Sequence, residues 1–198
     1  MDTDRRRRLT PDERRSQLLA LGVAFLADRP LDDLTIEELS ARAGVSRGLV
    51  FHYFGSKQGL HRAVVTTAAE SMLAASAPRA ELDPLDRLHD TLARIVTFVR
   101  DYRGTFFSLV RGVASGDPVV RRVVDESRDA HAERVIAAFL DLGAADTPML
   151  RVALRSWVSF VEEVLIETTE DDTADADEVT RFLARSAQGV VAALAEPA

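Results

Sequence analysis

Four of the chain's seven prolines follow directly on a threonine or an aspartate: Thr10-Pro11, Asp83-Pro84, Asp117-Pro118 and Thr147-Pro148. Each pair reads as the start of a helix. The short polar side chain accepts from an unpaired N–H of the first turn, and proline occupies a position whose N–H would have no intrahelical partner. Thr10 with Glu13 and Thr35 with Glu38 also have the spacing of a capping box, and Asp175 with Glu178 is a weaker version. Strand signals are almost absent. This punctuation predicts about nine helices, near 11–28, 36–43, 47–53, 57–76, 84–101, 104–115, 118–142, 148–168 and 177–195, and hence an all-α fold.

Apolar stripes at helical spacing agree with that division. They run through Leu18, Leu21, Val23, Ala24 and Phe25, then Leu150, Leu154, Trp157, Val158, Val161 and Leu165. A third joins Val179, Phe182, Leu183, Ser186, Gly189, Val190, Ala193 and Leu194. The stretch ETTEDDTADADE, residues 167–178, is expected to be a solvated loop. Charge also divides the chain. Net charge is −7, yet the first 62 residues carry 11 basic and 9 acidic side chains and the rest 14 and 23. Screening acts over about 8 Å at physiological ionic strength, so such an N-terminal end can approach a polyanion while the acidic remainder faces away.

The segment LTIEELSARAGVSRGLVFHYFGSK, residues 34–57, reads as two short helices around a glycine turn. Leu39, Ala43, Val45, Val50 and Tyr53 occupy inward positions. Gly44 stands where a left-handed φ is needed, and Ser46 is placed to cap the second helix. That is the spacing of a helix-turn-helix, whose second helix reads the major groove through its N-terminal residues. Phe54 and Leu60 read as core. Arg47 is the side chain best suited to a base edge, because a guanidinium pairs bidentately with guanine O6 and N7. Gly48 allows close approach, Leu49 suits a thymine methyl, and His52 points the same way about one turn on. Glu37, on the outer face of the preceding helix, could repel a phosphate or accept from a cytosine amine.

Thr35, Ile36, Leu39, Ala43-Gly44-Val45-Ser46, Gly48, Phe51, Tyr53-Phe54, Ser56-Lys57 and Leu60 together resemble the N-terminal signature of TetR-type transcriptional regulators. The resemblance covers about residues 11–62 and implies a homodimeric, usually repressing DNA binder whose C-terminal domain senses a small molecule. By position, it implies phosphate contacts from Thr35, Tyr53 and Lys57, chemistry that a hydroxyl at a helix N-terminus and an ammonium both suit. Two positions depart from the pattern. Phe51 replaces the usual tyrosine, leaving a ring that serves packing, and Gln58-Gly59 replaces an acidic pair, which weakens the next helix start. The expected organisation is a DNA-binding domain over 1–56, with a basic N-terminal arm, and a ligand-binding and dimerisation domain over 57–198. Arg5 to Arg8 are either a solvated tail or an arm in the minor groove.

The family's pocket lies among helices five to eight, which implies Phe106, Phe107, Arg111, Trp157 and Phe160 as ligand contacts. His89, Tyr102, Arg155 and Glu163 are further isolated polar groups on those helices. RGTFFSLVRGVASG, residues 103–116, has three glycines and predicts an irregular helix able to shift on binding. Helices eight and nine are the expected dimer surface. There Trp157, Val161, Leu165, Phe182 and Val190 supply apolar area, while Ser186, Gly189 and Ala193 let backbones approach in a two-chain four-helix bundle. The rival role for the same residues is the core of the chain itself. A dimer would place two recognition helices about one DNA turn apart, so a palindromic double-stranded operator is expected.

No nucleophile elbow, P-loop, dinucleotide glycine motif or His-Glu-x-x-His occurs, and the four histidines lack metal-ligand spacing, so neither enzyme activity, cofactor nor metal is expected. The chain has no cysteine, no signal peptide and no apolar run near the roughly 18 residues a membrane span needs, which predicts a cytoplasmic protein without a membrane partner. The alternative to a regulator is a helical ligand-binding or adaptor protein that no longer reads DNA, a reading that Glu37 and the acidic total favour.

Overall fold

The computed structural model describes residues 9–110, 116–170 and 174–195. Nine α-helices are described: α1 (Pro11–Phe25), α2 (Ile36–Ala43), α3 (Arg47–Phe54), α4 (Lys57–Ala75), α5 (Pro84–Asp101), α6 (Arg103–Val110), α7 (Pro118–Asp141), α8 (Pro148–Glu170) and α9 (Ala176–Ala195). A 3-10 turn, Leu31–Asp33, precedes α2, and no strand occurs among the described residues. The expected arm at Arg5–Arg8 and the expected ligand contact Arg111 lie outside the described residues.

The caps act largely as the sequence predicts. Thr10 forms the full reciprocal box: its Oγ1 accepts from Glu13 N at 3.2 Å and its N–H donates to the Glu13 carboxylate at 2.7 Å. Thr147 accepts from Leu150 N, and Asp117 from Val119 N. Asp83 makes no side-chain cap bond. At Thr35 only half of the expected box forms. Its Oγ1 accepts from Glu38 N at 3.0 Å, but the Glu38 carboxylate turns sideways to Arg42 at 2.9 Å and Arg29 at 3.4 Å. Helix α1 also stops earlier than expected. The N–H groups of Leu26, Ala27 and Asp28 reach back only three residues, to Val23, Ala24 and Phe25, tightening the chain ahead of Pro30.

Two hydrophobic cores share two long helices. The N-terminal core joins Leu18, Phe25, Leu39, Val50, Phe54 and Leu60, and includes Val64, Val65 and Ala68 of α4 and Val120 of α7. The larger core begins with Met72 on the same α4 and continues through α5 to α9, including Ile136 and Phe139 of α7. The expected boundary between 56 and 57 therefore coincides with the Ser56 N-cap of a helix whose first half packs with α1. An ion pair, Arg62 Nε to Asp117 Oδ2 at 2.8 Å, further ties α4 to the start of α7.

Trp157, Val161 and Leu165 are buried in this larger core, so they do not form an open surface. Their stripe on α8 is spent on α7 and α9 of the same chain, which corrects the expectation that they supply dimer area. The Trp157 indole N–H donates to Ser186 Oγ at 2.8 Å, so Ser186 too is engaged within the chain.

Candidate nucleic-acid interface and ligand cavity

Helix α2 ends in Gly44, whose φ of 64° and ψ of 37° lie in the left-handed region that a side chain disfavours. Ser46 then caps α3, its Oγ accepting from Leu49 N at 3.2 Å. A second left-handed glycine, Gly55 at φ 71°, ends α3, and Ser56 at once caps α4 by accepting from Gly59 N at 2.9 Å. Gly59 does not weaken that start. A Cβ there would lie 2.0 Å from the Phe54 carbonyl oxygen, so the close turn from α3 into α4 excludes larger residues.

These turns aim α3 so that Val50 is fully buried and Phe54 nearly so. The opposite face presents Ser46, Arg47, Gly48 and His52 to solvent, with Leu49 and Tyr53 half-buried. Phe51 is 58% exposed, contrary to the packing role expected of it: it lies one turn from Arg47 on the outward face. The ring that does enter the core is Phe54, with the Arg15 guanidinium 6.0 Å from its centroid. His52 stands edge-on to Tyr53, centroids 5.6 Å apart. The outward face thus carries a guanidinium, an imidazole and a ring beside a glycine, with no carboxylate on α3 itself.

Three cationic or polar groups are held from neighbouring elements. Arg47 Nη1 lies 3.4 Å from Glu37 Oε1 across the turn, both side chains largely exposed. Lys57, exposed at the start of α4, donates from Nζ to the Asp32 carbonyl at 2.6 Å. One turn on, the His61 ring nitrogen meets the Leu34 carbonyl at 2.8 Å. Burial lowers the His61 pKa below its ordinary value, outweighing the Leu34 carbonyl, and the Lys57 charge acts the same way. Lys57 and His61 thereby pin the chain just ahead of Thr35, whose hydroxyl proton remains available to an acceptor beyond the protein.

Behind this face, Phe25 is 1% exposed and two guanidiniums, those of Arg29 and Arg42, each lie 4.8 Å from its ring centroid. Arg29 also meets Asp33 at 3.3 Å and Glu38 at 3.4 Å. The stack fixes the end of α1 against α2, and hence the orientation of α3.

The larger domain holds a cavity of about 90 Å³, open at its mouth, between α4, α5, α6, α7 and α8. Phe106 and Trp157 line it as expected, with Leu88, Leu92, Val135 and Val161. Phe107 is half-buried but outside the lining, its ring 6.0 Å from the Arg103 guanidinium. Phe160 is a correction: it is 40% exposed and stacks at 5.9 Å on Phe182, 51% exposed, along an outer groove between α8 and α9. His89, Tyr102, Arg155 and Glu163 are also exposed and face away from the cavity. Its polar lining instead comes from Arg87, Thr91, Ser127, Arg128, His131, Arg134 and Glu162. The signal for them was the α7 stripe Ser127, His131, Arg134, Ala138, which has helical spacing but mixed polarity. Arg128 Nε forks to both oxygens of Glu162, at 2.9 and 3.0 Å, joining α7 to α8.

Among the described residues no cluster of histidine, cysteine and carboxylate side chains could hold a metal ion, and no helix is long and apolar enough to cross a membrane.

Known proteins share both parts. Residues 18–64 match the sequence pattern of "Bacterial regulatory proteins, tetR family", and residues 84–189 that of "Tetracyclin repressor-like, C-terminal domain". The nucleoid occlusion factor SlmA of Haemophilus influenzae is 28% identical over 107 residues, 52% of this chain and 49% of SlmA. The HTH-type transcriptional regulator BetI of Cronobacter sakazakii is 36% identical over 86 residues, 43% of this chain and 41% of BetI. The chain thus matches only about half the length of these curated relatives, or less. A tetR-family regulator from Streptomyces coelicolor superimposes with a TM-score of 0.83 at 25% identity, covering 93% of this chain and 83% of its own. A TetR-like regulator from Rhodococcus sp. RHA1 gives 0.74 at 21% identity, covering 93% and 99%. With a helix-turn-helix at its N-terminal end and a matching helical domain behind it, the chain belongs to the TetR family of DNA-binding transcriptional regulators.

Proposed function

We propose that the protein is a cytoplasmic homodimeric repressor that leaves a palindromic operator when a small, largely apolar ligand enters the cavity. The observation that carries the DNA-reading part is the outward face of α3, where Arg47 stands beside Gly48 with 71% of its side chain exposed. A guanidinium so placed matches the two acceptors of guanine in the major groove. Thr35, Ser46, Tyr53 and Lys57 flank it as phosphate contacts, and Leu49, Phe51 and His52 supply the remaining base-facing surface. The exposed Phe160, Phe182, Gly189 and Ala193, with the half-buried Val190, support a dimer through α8 and α9. The apolar cavity supports the sensing role.

Selection of bound fragments from random DNA tests the reading, and a palindrome with half-sites about one helical turn apart is expected. On the selected site, Arg47→Ala should lose about 1–3 kcal/mol of discrimination against random DNA. Lys57→Ala should weaken both alike and flatten the salt dependence by about one ion. Equal losses for Arg47→Ala on specific and random DNA would sink the base-reading role. The rival, a helical ligand-binding protein that no longer reads DNA, draws on the Glu37 carboxylate beside Arg47. No enriched palindrome at low salt would favour it.

A further inference from the structure

The charges around the cavity do not balance. Its charged lining residues are Arg87, Arg128, Arg134 and Glu162, and Glu162 is already committed to Arg128. Arg134 donates from Nη1 to Ser76 O at 3.1 Å and Ser76 Oγ at 2.9 Å, both neutral acceptors at the C-terminal end of α4. Among the described residues, no carboxylate lies within ion-pair distance of Arg134. The nearby Asp90 is taken by Arg94 at 2.7 Å and Arg79 at 3.0 Å, and the Arg94 charge itself disfavours that of Arg134. Partial negative charge at the α4 C-terminus offsets only a fraction of two guanidiniums.

Arg87, on α5, adds a second unmet demand in the same lining. Its Nη1 pairs with Asp141 at 2.9 Å and its Nη2 donates to Leu82 O at 3.2 Å, while its Nε is buried without an acceptor. A buried donor left unpaired carries a desolvation penalty, larger when the group is charged. About one turn before Arg134 on α7, the His131 Nδ1–H donates to Ser127 O at 2.8 Å and Nε2 meets Ser76 Oγ at 3.2 Å. Burial, and then the Arg134 charge, hold the His131 pKa below its ordinary value, so the imidazole adds no third cation at neutral pH. The rest of the wall is apolar: Leu92, Phe106, Val135, Trp157 and Val161 among others.

We infer that the ligand of this cavity is an amphipathic anion, with its apolar body among those side chains and a carboxylate at Arg134 and the free Arg87 Nε–H. The inference rests on the reading of the cavity as the effector site. An apolar neutral ligand would leave both demands unmet, and a cation would be repelled by Arg134.

Trp157 is the chain's only tryptophan and lines the cavity, so its fluorescence reports occupancy. The full-length protein is titrated with octanoate, octanol and octylammonium, with the thermal midpoint as a second readout. Octanoate should bind about tenfold or more tightly than octanol, the scale of a charge-assisted hydrogen bond, and octylammonium weakest. Arg134→Gln should abolish the preference for octanoate while leaving octanol binding unchanged. Should that variant fail to fold, the comparison of the three probes on the unaltered protein still decides. Octanol binding as tightly as octanoate, or octylammonium more tightly, would overturn the anion inference and leave the cavity reading intact. No response to any probe in either readout would overturn both.

Discussion

The Arg47 guanidinium and the Glu37 carboxylate lie 3.4 Å apart in solvent, a pair worth at most about 1 kcal/mol to stability. Its effect is therefore on orientation: the carboxylate steers Arg47 across the gap between α2 and α3, and on the proposed operator it would have to yield that guanidinium to a base. Elsewhere single residues govern stability more directly. His131 is held below its ordinary pKa by burial first and by Arg134 second, against the pull of the Ser127 carbonyl. His61 shifts the same way, with burial its largest cause. In both cases the unfolded chain binds a proton more readily than the folded one. Stability is thus complete above the unfolded value near 6.5 and falls as pH drops below it. Asp117 and Asp146, held low chiefly by hydrogen bonds from Arg62 and Arg151, lose their contribution only in the more acidic window near 4 and below. The urea midpoint should therefore decline between about pH 7.5 and about pH 5.5, and His131→Gln should reduce that decline. A decline of unchanged size in the variant would show that His131 does not carry it.

Among the elements, α6 is closely seated at its start. A Cβ on Gly104 would come within 2.0 Å of the Leu26 carbonyl oxygen and 2.7 Å of that of Ala27, backbone atoms that cannot turn aside. The neighbouring Thr105 is fully buried. The start of α6 is thereby seated on the end of α1, the same end that the Arg29–Phe25–Arg42 stack fixes against α2. Gly104→Ala should cost about 1–3 kcal/mol in urea unfolding, the usual penalty of overpacking. Gly48→Ala, where no atom stands closer than 4.0 Å, should leave stability unchanged or slightly raised. If Gly104→Ala unfolds at the midpoint of the unaltered protein, the seating is looser than the geometry implies.

At the scale of the whole molecule, the two cores are joined through α4 and α7, which contribute side chains to both. Helix α4, which helps to line the cavity, begins at Lys57, with only Ser56 between it and the Gly55 turn that ends α3. The proposed dimer depends on a different surface, the outer faces of α8 and α9, where Phe182 and Phe160 stack and lie half in solvent. Phe182→Glu should convert the dimer to monomer in sedimentation velocity at micromolar concentration, with the helical circular dichroism unchanged, because Phe182 leaves the fold's own core untouched. A variant that still sediments as a dimer would place the interface elsewhere.

Helices and most of the caps were legible in the sequence because their causes are local. Thr10, Ser46 and Thr147 cap within three residues, and Gly44 turns where only a residue without a Cβ is comfortable. What lay beyond local reach was the destination of each stripe. Trp157, Val161 and Leu165 have the same spacing whether they face a second chain or the α7 and α9 of their own, and only the packed structure put them inside. Phe51 and Phe54 are both rings on one short helix, and the angle imposed by Gly44 and Gly55 decided that Phe54 enters the core and Phe51 does not. Gly59 looked like a weak helix start until the Phe54 carbonyl stood where its side chain would be. The cavity's charged rim was the least legible of all. Arg87 and Arg134 lie on different helices, and the unpaired Arg87 Nε–H and the Arg134 charge without a carboxylate follow from distances between elements that no local spacing encodes. Sequence alone determined the fold class and the family, since both rest on periodicity, capping and a contiguous motif. Tertiary structure decided which faces are spent on the core and which remain to bind, because burial is a property of the whole packing.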